Sequence, residues 1–327
     1  MTIRVNMPTC MPMSAFEVSK WMTTRSSDLF GSQITQRSQT RDFGFINEQP
    51  IQFGQLALHS RMANTPIKLN DGTTIPLLAF GTGTSHYKKD AQHLVTAAIN
   101  AGITHLDGAQ VYANEEYLGA GIAAAGKPRE RLFITTKLNK LAEGKTVRDT
   151  LVESLKKLQL DYVDLFLIHT PLFFSTVPGG LKAVWKAMEA VKKEGLTRSI
   201  GVSNFRAAQL REVLDGAEYP PSVNQVSYII GYAPLRRRPA VLTSDVQIEF
   251  HPYVYKEVLP TLELQKQHGI VTASFGGLSP IFRFSGGPLD PVLTSIAKRL
   301  SDTTGKPFTE AQVLFLWQRE KGIVIVT

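Results

Sequence analysis

From residue 66 onward, apolar and polar positions fall into two alternating rhythms. One is a set of short, nearly unbroken apolar runs: Leu77–Phe80, Ile103–Leu106, Leu132–Thr136, Val163–Ile168, Ser199–Val202, Val223–Gln225, Val271–Phe275 and Ile323–Val326. Runs of this length with little alternation suit parallel strands buried on both faces. The other rhythm is helical. Ala91, Leu94, Val95, Ala98 and Ile99 share one helix face, and Gly102 supplies a stop. Val147, Leu151, Leu155 and Leu158 repeat the pattern behind Thr146, a good N-cap residue. Leu181, Val184, Trp185 and Met188 form a third stripe, ending at Gly195. Thr309 and Gln312 have capping-box spacing ahead of Val313, Leu316 and Trp317, with Gly322 as the stop. Asn70-Asp71-Gly72, set between Ile67-Lys68-Leu69 and Thr74-Ile75-Pro76, predicts a small hairpin.

Eight strands alternating with helices predict a (β/α)₈ TIM barrel. Strand starts from the second to the sixth are 29, 31, 36 and 24 residues apart, and the next gap is 48. The segment 226–247 accounts for the excess: it has 22 residues, and without it the gap is 26. Its removal joins Asn224-Gln225 to Ile248-Glu249-Phe250-His251-Pro252. The segment reads either as a loop insertion or as an unspliced intron. Val-Ser at its start and Gln at its end can be encoded by common intron boundaries, so the intron is the preferred reading. The barrel reads as lacking its last helix and C-terminal loop. The chain as written is therefore expected to be poorly folded or weakly active. Residues 1–61 have no sustained period and read as a disordered or non-native extension, with the barrel occupying 62–327. Glu17, Asp28, Asp42 and Glu48 argue against a transit peptide there.

The formal charge of +8 changes this picture little. Residues 1–61 and 226–247 each carry +2, which leaves +4 on the other 244 residues. That spread suits an enzyme with an anionic ligand better than a nucleic-acid reader. No apolar run reaches membrane-spanning length. The single cysteine, Cys10, excludes intramolecular disulfides and thiolate metal sites and favours a reducing compartment, the cytoplasm. The histidines show no metal-ligand spacing, so no metal is expected.

In a barrel of this kind the active site lies at the C-terminal ends of the strands. Asp107 ends the second strand, and Tyr112 follows in its loop. Lys137 ends the third strand and His169 the fourth. The fifth runs into Ser203-Asn204, and the sixth ends at Gln225. Taken singly, each has a bland reading as a solvated, capping or turn residue; their convergence on one face argues otherwise. A tyrosine hydroxyl, with a reference pKa of about 10, is a weak acid at neutral pH. An ammonium beside it favours the phenolate and lowers that value. Lys137 can supply that charge, Asp107 can hold the lysine, and His169 can orient a carbonyl. The set suits protonation of a carbonyl oxygen as hydride reaches carbon.

Over residues 66–327 the chain resembles the aldo-keto reductases. The resemblance rests on Gly102-Ile-Thr-His-Leu-Asp107-Gly-Ala-Gln-Val-Tyr112-Ala-Asn-Glu115, Thr136-Lys137-Leu138, Asp164-Leu-Phe-Leu-Ile-His169-Thr-Pro171, Ser199-Ile-Gly-Val-Ser-Asn-Phe205 and the split Asn224-Gln225/Ile248–Pro252. It implies Tyr112 as general acid, Lys137 and Asp107 as its tuning pair, and His169 as the orienting group. It implies NADPH as cofactor, bound without a Rossmann fold. Ser203, Asn204 and Gln225 would hold the carboxamide, with Phe275 against the nicotinamide. Gly81-Thr82 would lie near the ribose, and the run containing Leu278 near the pyrophosphate, where the sequence departs from the usual pattern. The family's basic loop for the adenosine 2′-phosphate follows strand eight and is expected to be missing. His169-Thr-Pro-Leu-Phe-Phe174 resembles the fungal reductases of conjugated polyketones and α-keto lactones. Leu172, Phe173 and Phe174, with Tyr87, would then wall a site for a small dicarbonyl, although packing of their own loop explains them equally well. The expected protein is a monomer acting on small carbonyl compounds; the alternative is a non-catalytic or defective barrel.

Overall fold

The computed structural model describes residues 65–83, 86–174, 177–226 and 250–327. The extension 1–61 and all of the segment 226–247 except Val226 lie outside the described residues. The chain enters through the predicted hairpin, β1 (Pro66–Lys68) and β2 (Thr74–Pro76), with Ile67 opposite Ile75. Its turn needs Gly72, whose φ of 90° lies in the left-handed region. Leu69 and Ile75 pack with Phe133, Leu165, Leu167, Val223 and Val324 inside the barrel, so the hairpin plugs the N-terminal mouth. Asp71 pins the plug by accepting hydrogen bonds from Thr73, Ser222 and Lys192.

Eight parallel strands then close the barrel in chain order: β3 (Leu78–Gly81), β4 (His105–Asp107), β5 (Phe133–Leu138), β6 (Val163–Ile168), β7 (Thr197–Ser203), β8 (Val223–Val226), β9 (Val271–Ser274) and β10 (Val324–Val326). All eight predicted runs are strands, with ends moved by at most two residues. Because the side-chain period is two, Phe133, Thr135 and Lys137 cannot share a face with Ile134 and Leu138. Ile134 and Leu138 lie in the outer layer with Leu106, Phe166, Ile168 and Val202.

Against that outer layer pack α1 (Gln92–Asn100), α2 (Glu115–Ala125), α3 (Val147–Leu158), α4 (Gly180–Lys193) and α5 (Ala207–Leu214). The local signals act where the sequence places them. Thr146 and Asp149 form a reciprocal capping box at α3, and Gly195 has φ of 85° beyond α4. After α6 (Tyr255–Gln267), β9 is followed by the short α7 (Ser279–Phe282) and then by two longer helices before β10, α8 (Asp290–Thr304) and α9 (Glu310–Glu320). The Thr309–Gln312 box opens α9. The stripe Leu289, Leu293, Ile296, Ala297 and Leu300 of α8 went unread in the sequence and packs on Val313 and Leu314 of α9.

The ladder between β8 and β9 bears on the 22-residue segment. Val226 is buried and pairs with Ser274, so the strand continues one residue into that segment. The Phe275 N–H donates to the Val226 carbonyl at 3.4 Å, and the Phe250 N–H donates to the Phe275 carbonyl at 3.0 Å. In a continuous parallel strand the second donor stands two residues beyond the first acceptor; here it stands 24 beyond. The ladder thus keeps its register if 22 residues are removed, and loses it with one more or one fewer. Deleting 226–247 is expected to leave a closed barrel with a cooperative thermal melt. Shortening the connection relieves up to about 2–3 kcal/mol of loop-closure entropy, so the midpoint should be unchanged or higher. A deleted chain that no longer melts cooperatively would show that the segment is needed for closure.

Candidate active site

Parallel pairing carries the polar residues of successive strands to one level. Gly81 is level with Asp107, Asp107 with Thr135, Lys137 with Leu167, and Ser203 with Gln225. Asp107 and Lys137 point inward at the C-terminal end and are 2% and 0% exposed. The Lys137 ammonium donates to Asp107 Oδ1 at 2.5 Å and to the Gly108 carbonyl at 2.9 Å. It also lies 5.1 Å from the centre of the Tyr112 ring. Tyr112 closes a short 3-10 turn, Gln110–Tyr112, that follows β4. His169, just past β6, meets the Tyr112 ring edge-on at 5.6 Å between centroids. Its Nδ1 is buried and has no hydrogen-bond partner among the described residues. The structure therefore brings all four predicted residues together.

Their protonation follows from this packing. Burial pulls the Lys137 ammonium down, but the charges of Asp107 and Tyr112 outweigh it and hold the group above its ordinary value. Burial pushes the Tyr112 phenol up; Lys137 opposes this, Asp107 adds to it, and the net shift is upward. The sequence-based expectation that the ammonium lowers the phenol thus gives only the sign of one contribution. Desolvation of the buried phenol is larger. His169 is held down to about 3, by burial first and Lys137 second, and is neutral at physiological pH. His105, one layer deeper in the barrel, is held down to about 4 by burial and hydrogen-bonded to Thr135.

The residues assigned to the cofactor divide. Ser203, Asn204 and Gln225 cluster at the ends of β7 and β8 and are wired into the catalytic group. Ser203 Oγ donates to the Gln225 carbonyl at 2.9 Å. Asn204 Nδ2 donates to the His169 carbonyl at 2.8 Å. Gln225 Nε2 donates to Asp107 Oδ2 at 2.8 Å. Asn204 has φ of 62°, a strained backbone for a residue with a side chain. Phe275 stands partly exposed beyond β9. Thr82, in contrast, is not presented on an open surface, while Gly81 is partly exposed. Thr82 is fully buried, with its hydroxyl directed to the Asp107 carbonyl and Asn114, and a side chain at Gly81 would meet the Thr327 carbonyl at 2.9 Å. Leu278 turns its side chain toward the α8–α9 cluster. The apolar wall needs one correction. Tyr87, Leu172 and Phe173 are exposed near the mouth, but Phe174 is fully buried in the outer core and cannot line the site. Two participants lay unassigned within the quoted motif. Glu115 accepts from Thr136 at 2.6 Å and is pushed up by burial. Asn114 ties the loop after β3 to the Tyr112 turn.

A family model described as "Aldo/keto reductase family" matches residues 77–241. The chain belongs to the aldo/keto reductase family. It is 36% identical over 265 residues to an NAD/NADP-dependent indole-3-acetaldehyde reductase from Schizosaccharomyces pombe, covering 78% of this chain and 82% of that one. It is 35% identical over 269 residues to a putative methylglyoxal reductase from Salmonella typhi, covering 81% and 83%. Among solved structures, an aldo/keto reductase from Brucella melitensis superposes with a TM-score of 0.62 at 32% identity, covering 80% of this chain and 86% of that one. This aldo-keto reductase is an oxidoreductase built on the family's barrel. Among its described residues no helix is long and apolar enough to cross a membrane.

Proposed function

We propose that this aldo-keto reductase uses NADPH to reduce aldehydes and ketones to alcohols, with small α-dicarbonyl compounds as its preferred class. The observation that carries the reading is the buried chain Asp107–Lys137–Tyr112 with neutral His169 set edge-on beside the phenol. A carbonyl oxygen bonded to His169 and Tyr112 is polarised by two neutral donors in a site that excludes water. Tyr112 gives up its proton as negative charge grows on that oxygen, and Lys137 stabilises the phenolate left behind. Asp107, braced by Gln225, keeps the ammonium in place. A bound reduced nicotinamide supplies the hydride. Ser203, Asn204 and Gln225 offer the mixed donors and acceptors that a carboxamide needs, and the Phe275 ring offers an apolar face. The relatives named for indole-3-acetaldehyde and methylglyoxal support an aldehyde or dicarbonyl substrate. The exposed Leu172 and Phe173 support an apolar rim. The catalytic unit is residues 62–327. All four catalytic groups come from one chain, so a monomer in the cytoplasm suffices.

Steady-state oxidation of NADPH and of NADH with methylglyoxal, indole-3-acetaldehyde and a polar aldose tests this reading. Turnover fastest with NADPH and methylglyoxal supports it; turnover of the aldose alone contradicts the substrate class. The protonation states add a separate expectation. With His169 held near 3 and the phenol and ammonium both above 10, none of these groups changes charge between about pH 5 and pH 9. The kcat profile should be flat over that window. An inflection near 6.5 would show that His169 titrates during turnover.

A further inference from the structure

We infer that Asn114 is a positioning residue for Tyr112, holding the backbone that follows β3 against the phenol ring; this rests on the reading of Tyr112 as the acid. Asn114 stands at the N-cap position of α2, where an asparagine ordinarily accepts a hydrogen bond from the first turn. It makes no such bond. Its side chain turns the other way and is 2% exposed. Nδ2 donates to the Thr82 carbonyl at 2.8 Å and to the His86 carbonyl at 2.9 Å, and Oδ1 accepts from the Thr82 hydroxyl at 3.4 Å. A fourth tie runs from the Lys88 N–H to the Tyr112 carbonyl at 2.9 Å. The preceding Ala113 adopts a left-handed φ of 51°, a local cost that sets the direction from which Asn114 reaches the loop.

Between the pinned points lies Gly83. A Cβ there would stand 2.9 Å from Tyr112 Cζ, 3.1 Å from Cε2 and 3.2 Å from the phenol oxygen. Gly83 is not among the glycines with positive φ, so its backbone does not require glycine. The requirement is space, because the main chain rests on the ring. One side of the phenol is thus covered by backbone whose place is fixed by Asn114, while Lys137 and His169 approach it as described above. A phenol loosened by an ångström no longer meets both its ammonium and the carbonyl oxygen, and misplacements of that size cost on the order of 100-fold in rate.

Three variants of the full chain test this: Asn114→Ala, Gly83→Ala and, as the reference for the acid, Tyr112→Phe. For each, kcat and the NADPH dissociation constant are measured, and the ultraviolet titration of the Tyr112 phenol is read in the wild type, Asn114→Ala and Gly83→Ala as the difference from Tyr112→Phe. Asn114→Ala should lower kcat about 10- to 100-fold with NADPH affinity within about threefold. Its phenol should ionise at lower pH than in the wild type, because water reaches a group whose ionisation burial opposes. Gly83→Ala keeps the Asn114 bonds, presses a methyl group on the ring and should also lower kcat. The inference is overturned if Asn114→Ala loses thermal stability while kcat and the phenol titration stay at wild-type values. It is also overturned if Gly83→Ala turns over like the wild type. Failure of the acid reading shows separately, as retained turnover in Tyr112→Phe; the phenol titration still reports on the clamp in that case.

Discussion

Replacing Tyr112 by Phe is expected to lower kcat by at least about 100-fold and up to about 10,000-fold, the range for loss of a positioned general acid. The change removes one oxygen and leaves the ring, so the contacts with His169 and the Gly83 backbone persist. Lys137 keeps Asp107 and the Gly108 carbonyl as partners, and no buried charge is orphaned. NADPH affinity and the melting temperature should therefore stay near wild-type values. Fluorescence quenching by NADPH, run beside single-turnover kinetics, separates binding from chemistry. Turnover within about threefold of the wild type would mean that another group delivers the proton.

Replacing Lys137 by Met should cost both stability and rate. The ammonium is wholly buried, and its removal leaves the Asp107 carboxylate in the barrel with Gln225 as its remaining side-chain partner. Breaking a buried pair by removing one member costs about 3–5 kcal/mol. That is a large share of the roughly 5–15 kcal/mol that holds a typical domain together. The phenol also loses the one charge that favours its ionisation, so kcat should fall at least about 100-fold. The double variant Lys137→Met with Asp107→Asn separates the two effects. Neutralising the orphaned carboxylate should restore most of the stability and none of the activity. A single variant that melts like the wild type would show that Asp107 finds another cation or takes up a proton without cost.

The 22-residue segment illustrates how far a linear rhythm carries. Its presence was legible as an excess in strand spacing, and its length as the distance between the two halves of the split motif Asn224-Gln225/Ile248–Pro252. The β8–β9 ladder arrives at the same count from hydrogen bonds made by Val226, Phe250 and Phe275. The split motif is a feature of the chain, whereas the register belongs to a parallel pair of strands. The ladder also adds something the spacing lacked, because it places Val226 inside the strand, with its side chain against Trp317 and Phe250.

Phe174 shows the opposite case. Its neighbours Leu172 and Phe173 are equally apolar, and nothing in the run distinguishes the three. The 3-10 turn Pro171–Phe173 exposes the first two aromatic and aliphatic side chains and sends the next into the outer core. Asn114 is similar. The structure sets it at the N-cap of α2, and the nearby carbonyls of Thr82 and His86 divert its side chain from that role.

The sequence by itself determined the eight strands, four of the helices and the identity of the polar residues at the ends of the second to sixth strands. These follow from side-chain period, caps and turn residues, which act over a few neighbouring positions. The tertiary structure alone decided what those residues are to one another. It turned Gln225 toward Asp107, Asn204 toward His169, and the main chain at Gly83 onto the Tyr112 ring. It also set the direction of the phenol's shift, since burial outweighs the lysine beside it. Desolvation and long-range hydrogen bonding depend on which distant segments meet in the closed barrel, and no local pattern in the chain encodes that meeting.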